Sequence, residues 1–218
     1  VPLNPALSVR GPKHSVTEGK TPAMDVKQVR ELLRSIPLTT AKGTPDLGGL
    51  RDRAAIATLV FTAARAGAVA KLRRQDFITD GRQHYLRLDE KGGKVRSIPC
   101  RTDLQQYIDE YLAVIGVVDP RTPLFLSLVR RTETMSGRGL TENDLLRMLK
   151  RRIKAAGLPA GVFKCHSLRA STATDLLEQG VELADVQFLL GHSDPRTTKL
   201  YDRRKMQVTR NIVERISI

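Results

Sequence analysis

Residues 165–203 read CHSLRASTATDLLEQGVELADVQFLLGHSDPRTTKLYDR and place His166, Arg169, His192 and Tyr201 in one short stretch. Each of these side chains suits a phosphate. A guanidinium fork matches two phosphate oxygens, imidazoles donate or relay protons, and a deprotonated phenol is a nucleophile. His166 and Arg169 are three residues apart, so on a helix they share a face and can address the same small target. The elements that must position them can be read from the flanking residues. Ala173, Leu176 and Leu177 form one side of a helix that stops at Gly180, and Leu183, Val186, Leu189 and Leu190 form the next buried face before Gly191. His192 then falls just past a helix end. Asp194 caps a further short helix with Pro195 at its first position, and that helix is expected to carry Tyr201 about two turns on, back toward His192.

The order H-x-x-R, then L-L-G-H, then a tyrosine nine residues later resembles the carboxy-terminal signature of the tyrosine recombinase (phage integrase) family, and DVQFLLGHSDPRTTKLY extends the likeness. The resemblance implies a site-specific DNA recombinase or integrase. Tyr201 would attack a phosphodiester to give a covalent 3′-phosphotyrosyl link, with Arg169 and His192 at the phosphate and His166 assisting proton transfer at the tyrosine. Rejoining would use the stored bond energy, so neither ATP nor another cofactor is expected, and no acidic metal cage is visible. The implied partners are double-stranded DNA and further copies of the chain in a tetrameric synapse. Two alternatives stand beside this reading: relaxation of supercoils in the manner of a type IB topoisomerase, and a DNA-binding protein without catalysis.

Two further residues enter through the same resemblance. ARAGAVAKLRRQDF, with Leu72 and Asp76, is similar to the family's first arginine box, which makes Arg65 the second phosphate-binding arginine. Residues 49–70 read as one long apolar helix through Ala55, Leu59 and Phe61, with Arg65 near its end, where on its own it would be a solvated arginine suiting the helix dipole. Ala68 stands where the family usually carries an acidic residue, which leaves the support of Arg65 unassigned. HYLRLDE (84–90) and KVRSIP (94–99) are strands joined by a tight hairpin with Gly92-Gly93 at its turn. Lys91, the lysine before the glycines, matches the family's hairpin lysine and is the candidate acid for the leaving 5′ oxygen; Lys94 is the competitor.

Elsewhere the pattern is helical. Asp25 caps a helix with Val26, Val29, Leu33 and Ile36 on one face, and residues 103–114 form another through Leu104, Tyr107, Ile108 and Leu112. A short apolar LFLSL follows, and 130–139 reads as a polar loop. Thr141 with Asp144 begins a further helix in the manner of a capping box, its apolar face backed by Lys150, Arg151, Arg152 and Lys154. That basic run is either a solvated face or a DNA-phosphate contact. The resulting fold class is mostly α with a small antiparallel β-sheet (α+β), which is also what the family's catalytic domain would have.

The 218 residues, 40% hydrophobic, suffice for one core, and 37 Lys and Arg against 23 Asp and Glu give a net charge of +14. Basic residues are scattered through the chain, which favours a folded surface for a polyanion, nucleic acid before an anionic membrane. Cys100 and Cys165 are too few for a disulfide framework and lack zinc-site spacing, and His14, His84, His166 and His192 are widely separated. No apolar run of membrane-spanning length or signal segment is present, so a cytoplasmic, nucleoid-associated protein is expected. Residues 1–23 read as a linker or arm and 24–218 as the catalytic domain. The family's amino-terminal DNA-gripping domain would precede such a linker and has no counterpart in this sequence, so the chain is expected to be a fragment. After Tyr201, Val208, Ile212 and Ile216 recur every four residues as one apolar stripe. It would fold back on its own domain or, as the resemblance implies, dock on a neighbouring subunit.

Overall fold

The computed structural model describes residues 21–90, 93–116, 119–129, 134–192 and 194–202. Its centre is α2 (Leu47–Phe61), which is buried on every side from Gly48 to Val60. A helix apolar all round belongs in the middle of a core. The exception within it is Arg51-Asp52-Arg53, and buried charge is tolerated only when paired. Asp52, fully buried, accepts from Arg51 at 2.5 Å, and Arg53 pairs with Glu110.

Around α2 pack α4 (Thr102–Ile115), α5 (Glu142–Ala155) and α6 (Cys165–Glu178), with α1 (Val26–Arg34) at its margin. The capping signals act as expected: Asp25 with Gln28 and Thr141 with Asp144 both form reciprocal capping boxes. The buried side of α1 differs from the expected stripe. Leu32 and Leu33 are both buried and Ile36 follows them, while Val26, in the first turn, is 42% exposed. Adjacent leucines that straddle the contact line turn the face away from Val26.

The expected helix over 49–70 is two helices. α2 ends at Phe61, and α3 (Ala66–Lys71) starts after Arg65, which is its N-cap residue. The break has a local and a distant cause. Thr62 Oγ1 donates to Thr58 O at 2.6 Å and accepts from Ala64 N–H at 3.2 Å, offering the chain a turn in place of the next helical bond. Ala63 then adopts φ 49°, left-handed for a residue with a Cβ. That conformation costs roughly 1–2 kcal/mol, and its carbonyl accepts a 2.6 Å bond from buried Arg169. A hydrogen bond to a charged group contributes about 1.5–3 kcal/mol, enough to hold the turn.

Strands β1 (Phe77–Thr79), β2 (His84–Glu90) and β3 (Lys94–Pro99) form one antiparallel sheet in that order, with Tyr85 opposite Pro99 and Glu90 opposite Lys94. Gly93 supplies φ +73° at the hairpin. A second, two-stranded sheet pairs β4 (Leu126–Leu128) with β5 (Met135–Gly139). Residues 135–139, expected as polar loop, are therefore strand. Their pairing is irregular in register, and it comes from the neighbouring backbone, which no hydrophobic alternation announces.

The last helices among the described residues are α7 (Leu183–Leu190) and α8 (Pro195–Lys199), which pack together. They enclose a second, small core of Ala63, Ala170, Ala173, Leu177, Val186, Leu190 and the Tyr201 ring. α8 is shorter than expected. Tyr201 N–H bonds to Thr198 O at 3.0 Å, a tightened three-residue turn, so Tyr201 lies just beyond the helix and not on it. Lys91, residues 1–20 and the stripe of Val208, Ile212 and Ile216 lie outside the described residues.

Candidate active site

Arg169 is a deeply buried charge, a side chain on α6 in a residue only 1% exposed. It is held by the ends of two helices. Nη1 donates to Ala63 O, in the turn after α2, at 2.6 Å, and Nη2 donates to Leu190 O, at the end of α7, at 2.5 Å. Carbonyls near a helix C-terminus lack intrahelical partners and carry partial negative charge, which is what a buried cation needs. Burial and the nearby Arg65 charge pull its pKa to about 10, so it remains cationic at neutral pH. Of five guanidinium N–H groups, these two bonds and one to His192 leave Nε–H and one Nη1–H without a partner among the described residues.

Arg169 also decides the state of His192. Its Nη2 lies 2.8 Å from His192 Nε2, and because a guanidinium can only donate, Nε2 must accept. Nδ1 then carries the proton and donates to Thr198 Oγ1 at 2.9 Å. Burial first, then Arg169 and Arg65, pushes the His192 pKa down to about 4. His192 is thus a neutral acceptor toward Arg169, and a cationic imidazole does not fit beside that guanidinium. Its place is set by Gly191, the left-handed residue that ends α7 at φ 63°.

His166 lies on the exposed side of α6, and its Nε2 is 3.0 Å from the Tyr201 hydroxyl. Partial desolvation of the ring on its cavity side, then the charges of Arg169 and Arg65, lowers the His166 pKa, which favours the neutral imidazole. A neutral Nε2 facing a phenol O–H can accept its proton. The tyrosine is fixed from behind, since its ring is 6% exposed in the second core and its carbonyl accepts from Thr174 Oγ1 at 3.3 Å.

Arg65 approaches from the start of α3, its side chain 41% exposed, and pairs with buried Glu90 at the end of β2. Ala68, itself buried, offers Arg65 no carboxylate; β2 does. His166, Arg169, His192 and Tyr201 from the one short stretch, and Arg65 from about 100 residues upstream, line one cavity of about 470 Å³ together with Glu90 and Lys94. Lys94 opens β3 opposite Glu90, and Lys91 lies outside the described residues, between those two positions.

The basic run on α5 is elsewhere. Arg151 and Arg152 both donate to Asp52, at 2.9 and 2.8 Å, and the Arg152 side chain is only 13% exposed. Asp52 is nine residues before the end of α2, about 14 Å along the helix at ~1.5 Å per residue. Arg152 is therefore a structural partner of a buried carboxylate, which counts against its use as a phosphate contact; Lys150 and Lys154 are exposed. Among the described residues no three His, Cys, Asp or Glu side chains converge as a metal site, and no helix is long and apolar enough to cross a membrane. Both cysteines are unpaired thiols whose pKa is raised by burial, Cys100 to about 12 and Cys165 to about 11. Sequence reasoning missed Glu90, Thr198 and Asp52. Thr198 could have been found as the residue one turn before the tyrosine, and Asp52 as a carboxylate in an otherwise apolar helix.

Residues 23–207 match the family model described as "Phage integrase family". The chain is 32% identical over 207 residues to the tyrosine recombinase XerD of Staphylococcus haemolyticus, covering 91% of this chain and 62% of that one. It is 31% identical over 170 residues to the tyrosine recombinase XerD of Xanthomonas campestris pv. campestris, covering 72% and 50%. The chain thus spans about half to three-fifths of the length of these curated relatives. Among solved structures it resembles the XerH site-specific recombinase bound to palindromic difH substrate in a post-cleavage complex, with a TM-score of 0.66, 25% identity and coverage of 83% and 49%. Its fold also matches a lambda integrase tetramer bound to a Holliday junction, with a TM-score of 0.62, 20% identity and coverage of 96% and 56%. A match that runs from the first helix through Tyr201 and takes in every residue of the cavity places the chain in the phage integrase family.

Proposed function

We propose that this chain is the catalytic domain of a site-specific DNA recombinase that cleaves and rejoins strands through Tyr201. The observation that carries the reading is the 3.0 Å contact between the Tyr201 hydroxyl and neutral His166 on the wall of a cavity that also holds Arg65 and Arg169. A phosphodiester in that cavity meets two cations. Arg169, through its unused N–H groups, and Arg65, through its exposed fork, bind the non-bridging oxygens and stabilise the charge that builds at phosphorus. Tyr201 Oη gives its proton to His166 Nε2 and attacks; the P–Oη bond forms as the P–O5′ bond breaks, leaving a 3′-phosphotyrosine. The departing 5′ oxygen takes a proton from the hairpin, from Lys91 or its competitor Lys94. His192, as an acceptor, keeps the Arg169 fork oriented. Reversal with a different 5′ hydroxyl exchanges strands, and no ATP is consumed.

The substrate under this reading is double-stranded DNA, held by a chain of net charge +14 and approached by several copies in a synapse. Its setting is the cytoplasm, at the nucleoid. A duplex nicked just beyond the scission point tests the reading, because the short fragment diffuses away and traps the intermediate. The expected result is a denaturant-stable protein–DNA adduct that transfers to an added strand with a 5′ hydroxyl. Supercoil relaxation by monomer without transfer between duplexes would favour a topoisomerase; binding without any adduct would leave a DNA-binding protein.

A further inference from the structure

Glu90 closes β2 with its carboxylate almost out of solvent, the side chain 2% exposed, and both its oxygens are engaged. Oε2 receives Arg65 Nη1 and Oε1 receives Arg96 Nη2. Arg96, on β3, reaches on with Nη1 to Leu189 O in the last turn of α7, two residues before Gly191. The packing there is tight. A Cβ at Gly191 would lie 2.9 Å from Arg96 Nε and 3.2 Å from Glu90 Oε2, so a side chain there would push on the carboxylate and guanidinium that sit against the turn that delivers His192. One carboxylate therefore ties together the arginine at the start of α3 and the strand that opens with Lys94, and through Arg96 the end of α7.

Arg65 differs from Arg169 in how it is held. Arg169 is fixed by two backbone carbonyls and a histidine, whereas the hydrogen-bond partner of half-exposed Arg65 among the described residues is Glu90. A long cationic side chain left in solvent samples many rotamers, and transition-state stabilisation depends on donors aimed in advance. Resting on the proposed cleavage reaction, the geometry points to Glu90 as the positioning residue for Arg65, aiming its guanidinium at one non-bridging phosphate oxygen while Arg96 locks the hairpin to α7. It acts through Arg65 and does not touch DNA.

The test compares Glu90→Gln with wild type on nicked duplexes carrying either a normal scissile phosphate or a methylphosphonate, with each non-bridging oxygen replaced in turn. A neutral phosphorus centre has less need of the arginine. On the normal phosphate Glu90→Gln is expected to form adduct about ten- to a hundredfold more slowly at unchanged DNA affinity, and on the methylphosphonate the gap to wild type should shrink, as it should for Arg65→Ala. Should Glu90→Gln not fold, Glu90→Asp, which keeps the charge and withdraws it by one methylene, is expected to show the same substrate-dependent pattern with a smaller defect. An equal defect on both substrates would mean a general structural role, and a rate at or above wild type would mean that Glu90 competes with phosphate for Arg65; either overturns the assignment. Wild-type protein that forms no adduct overturns the cleavage reading itself.

Discussion

Replacing either cavity arginine with alanine should abolish most cleavage, but the structure separates the two by their effect on stability. Arg169→Ala strips the Arg169 bonds from Ala63 O and Leu190 O, carbonyls of two residues that are themselves 0% exposed. Each buried carbonyl left unsatisfied costs about 1–3 kcal/mol, so the loss is roughly 2–6 kcal/mol before any cavity term. For a chain of this size, one kcal/mol moves Tm by about 2–4 °C, which gives a fall of about 4–24 °C. Arg65→Ala removes a 41% exposed side chain and leaves Glu90 paired with Arg96; its cost should be on the order of 1 kcal/mol or less, a few degrees at most. Both variants should slow adduct formation about a hundredfold or more, as removal of a transition-state charge stabiliser does. Calorimetric melting of both proteins beside cleavage on a nicked substrate reads both effects. An Arg169→Ala protein that melts with wild type, or an Arg65→Ala protein that loses as much as Arg169→Ala, would refute the reasoning that one arginine anchors the fold and the other serves the phosphate.

The His166 pKa lies below the usual histidine value because of partial desolvation and then the charges of Arg169 and Arg65. As a base it works deprotonated, so the cleavage rate should stay level through neutrality and fall only below about pH 6.5, and His166→Ala should be slow with that acid limb absent from its pH–rate profile. His192, with a folded pKa of about 4, binds no proton in the native state between pH 4 and 6.5 while the unfolded chain does. Stability should therefore decline as pH falls through that window and level off below it, and in His192→Gln the Tm should depend less steeply on pH there. A 5′-bridging sulfur leaves without a proton, so it should rescue Lys91→Ala and neither arginine variant; rescue of Lys94→Ala instead would transfer the acid role to the lysine seen in the cavity.

What was legible in the sequence was whatever short-range spacing determines. The three-residue step from His166 to Arg169, the Gly191 stop before His192, the Asp194–Pro195 start and the reciprocal caps are local geometry, and each appears where the residues place it. The hairpin over 84–99 has the same origin in alternation and a glycine turn. What was hidden depends on partners far along the chain. Nothing in the apolar run of 49–70 marks Ala63 as left-handed, since the carbonyl it presents is taken by an arginine 106 residues later. Glu90 reads as one more charge in a polar hairpin until Arg65, 25 residues away, folds onto it. The basic run of α5 likewise reads as surface, because Asp52, which takes two of its arginines, lies about 100 residues upstream. The residues proposed to face the phosphate from 165–203 follow local patterns, whereas the residues that hold them in place follow the fold.

The most direct test of the account is to trap the covalent complex, digest it and locate the linkage by mass spectrometry, with Tyr201→Phe treated in parallel. The account predicts a nucleotide joined through its 3′ phosphate to Tyr201 Oη, and no adduct from Tyr201→Phe despite undiminished DNA binding. A linkage on another residue, a 5′-phosphate linkage, or an adduct formed by Tyr201→Phe would contradict it.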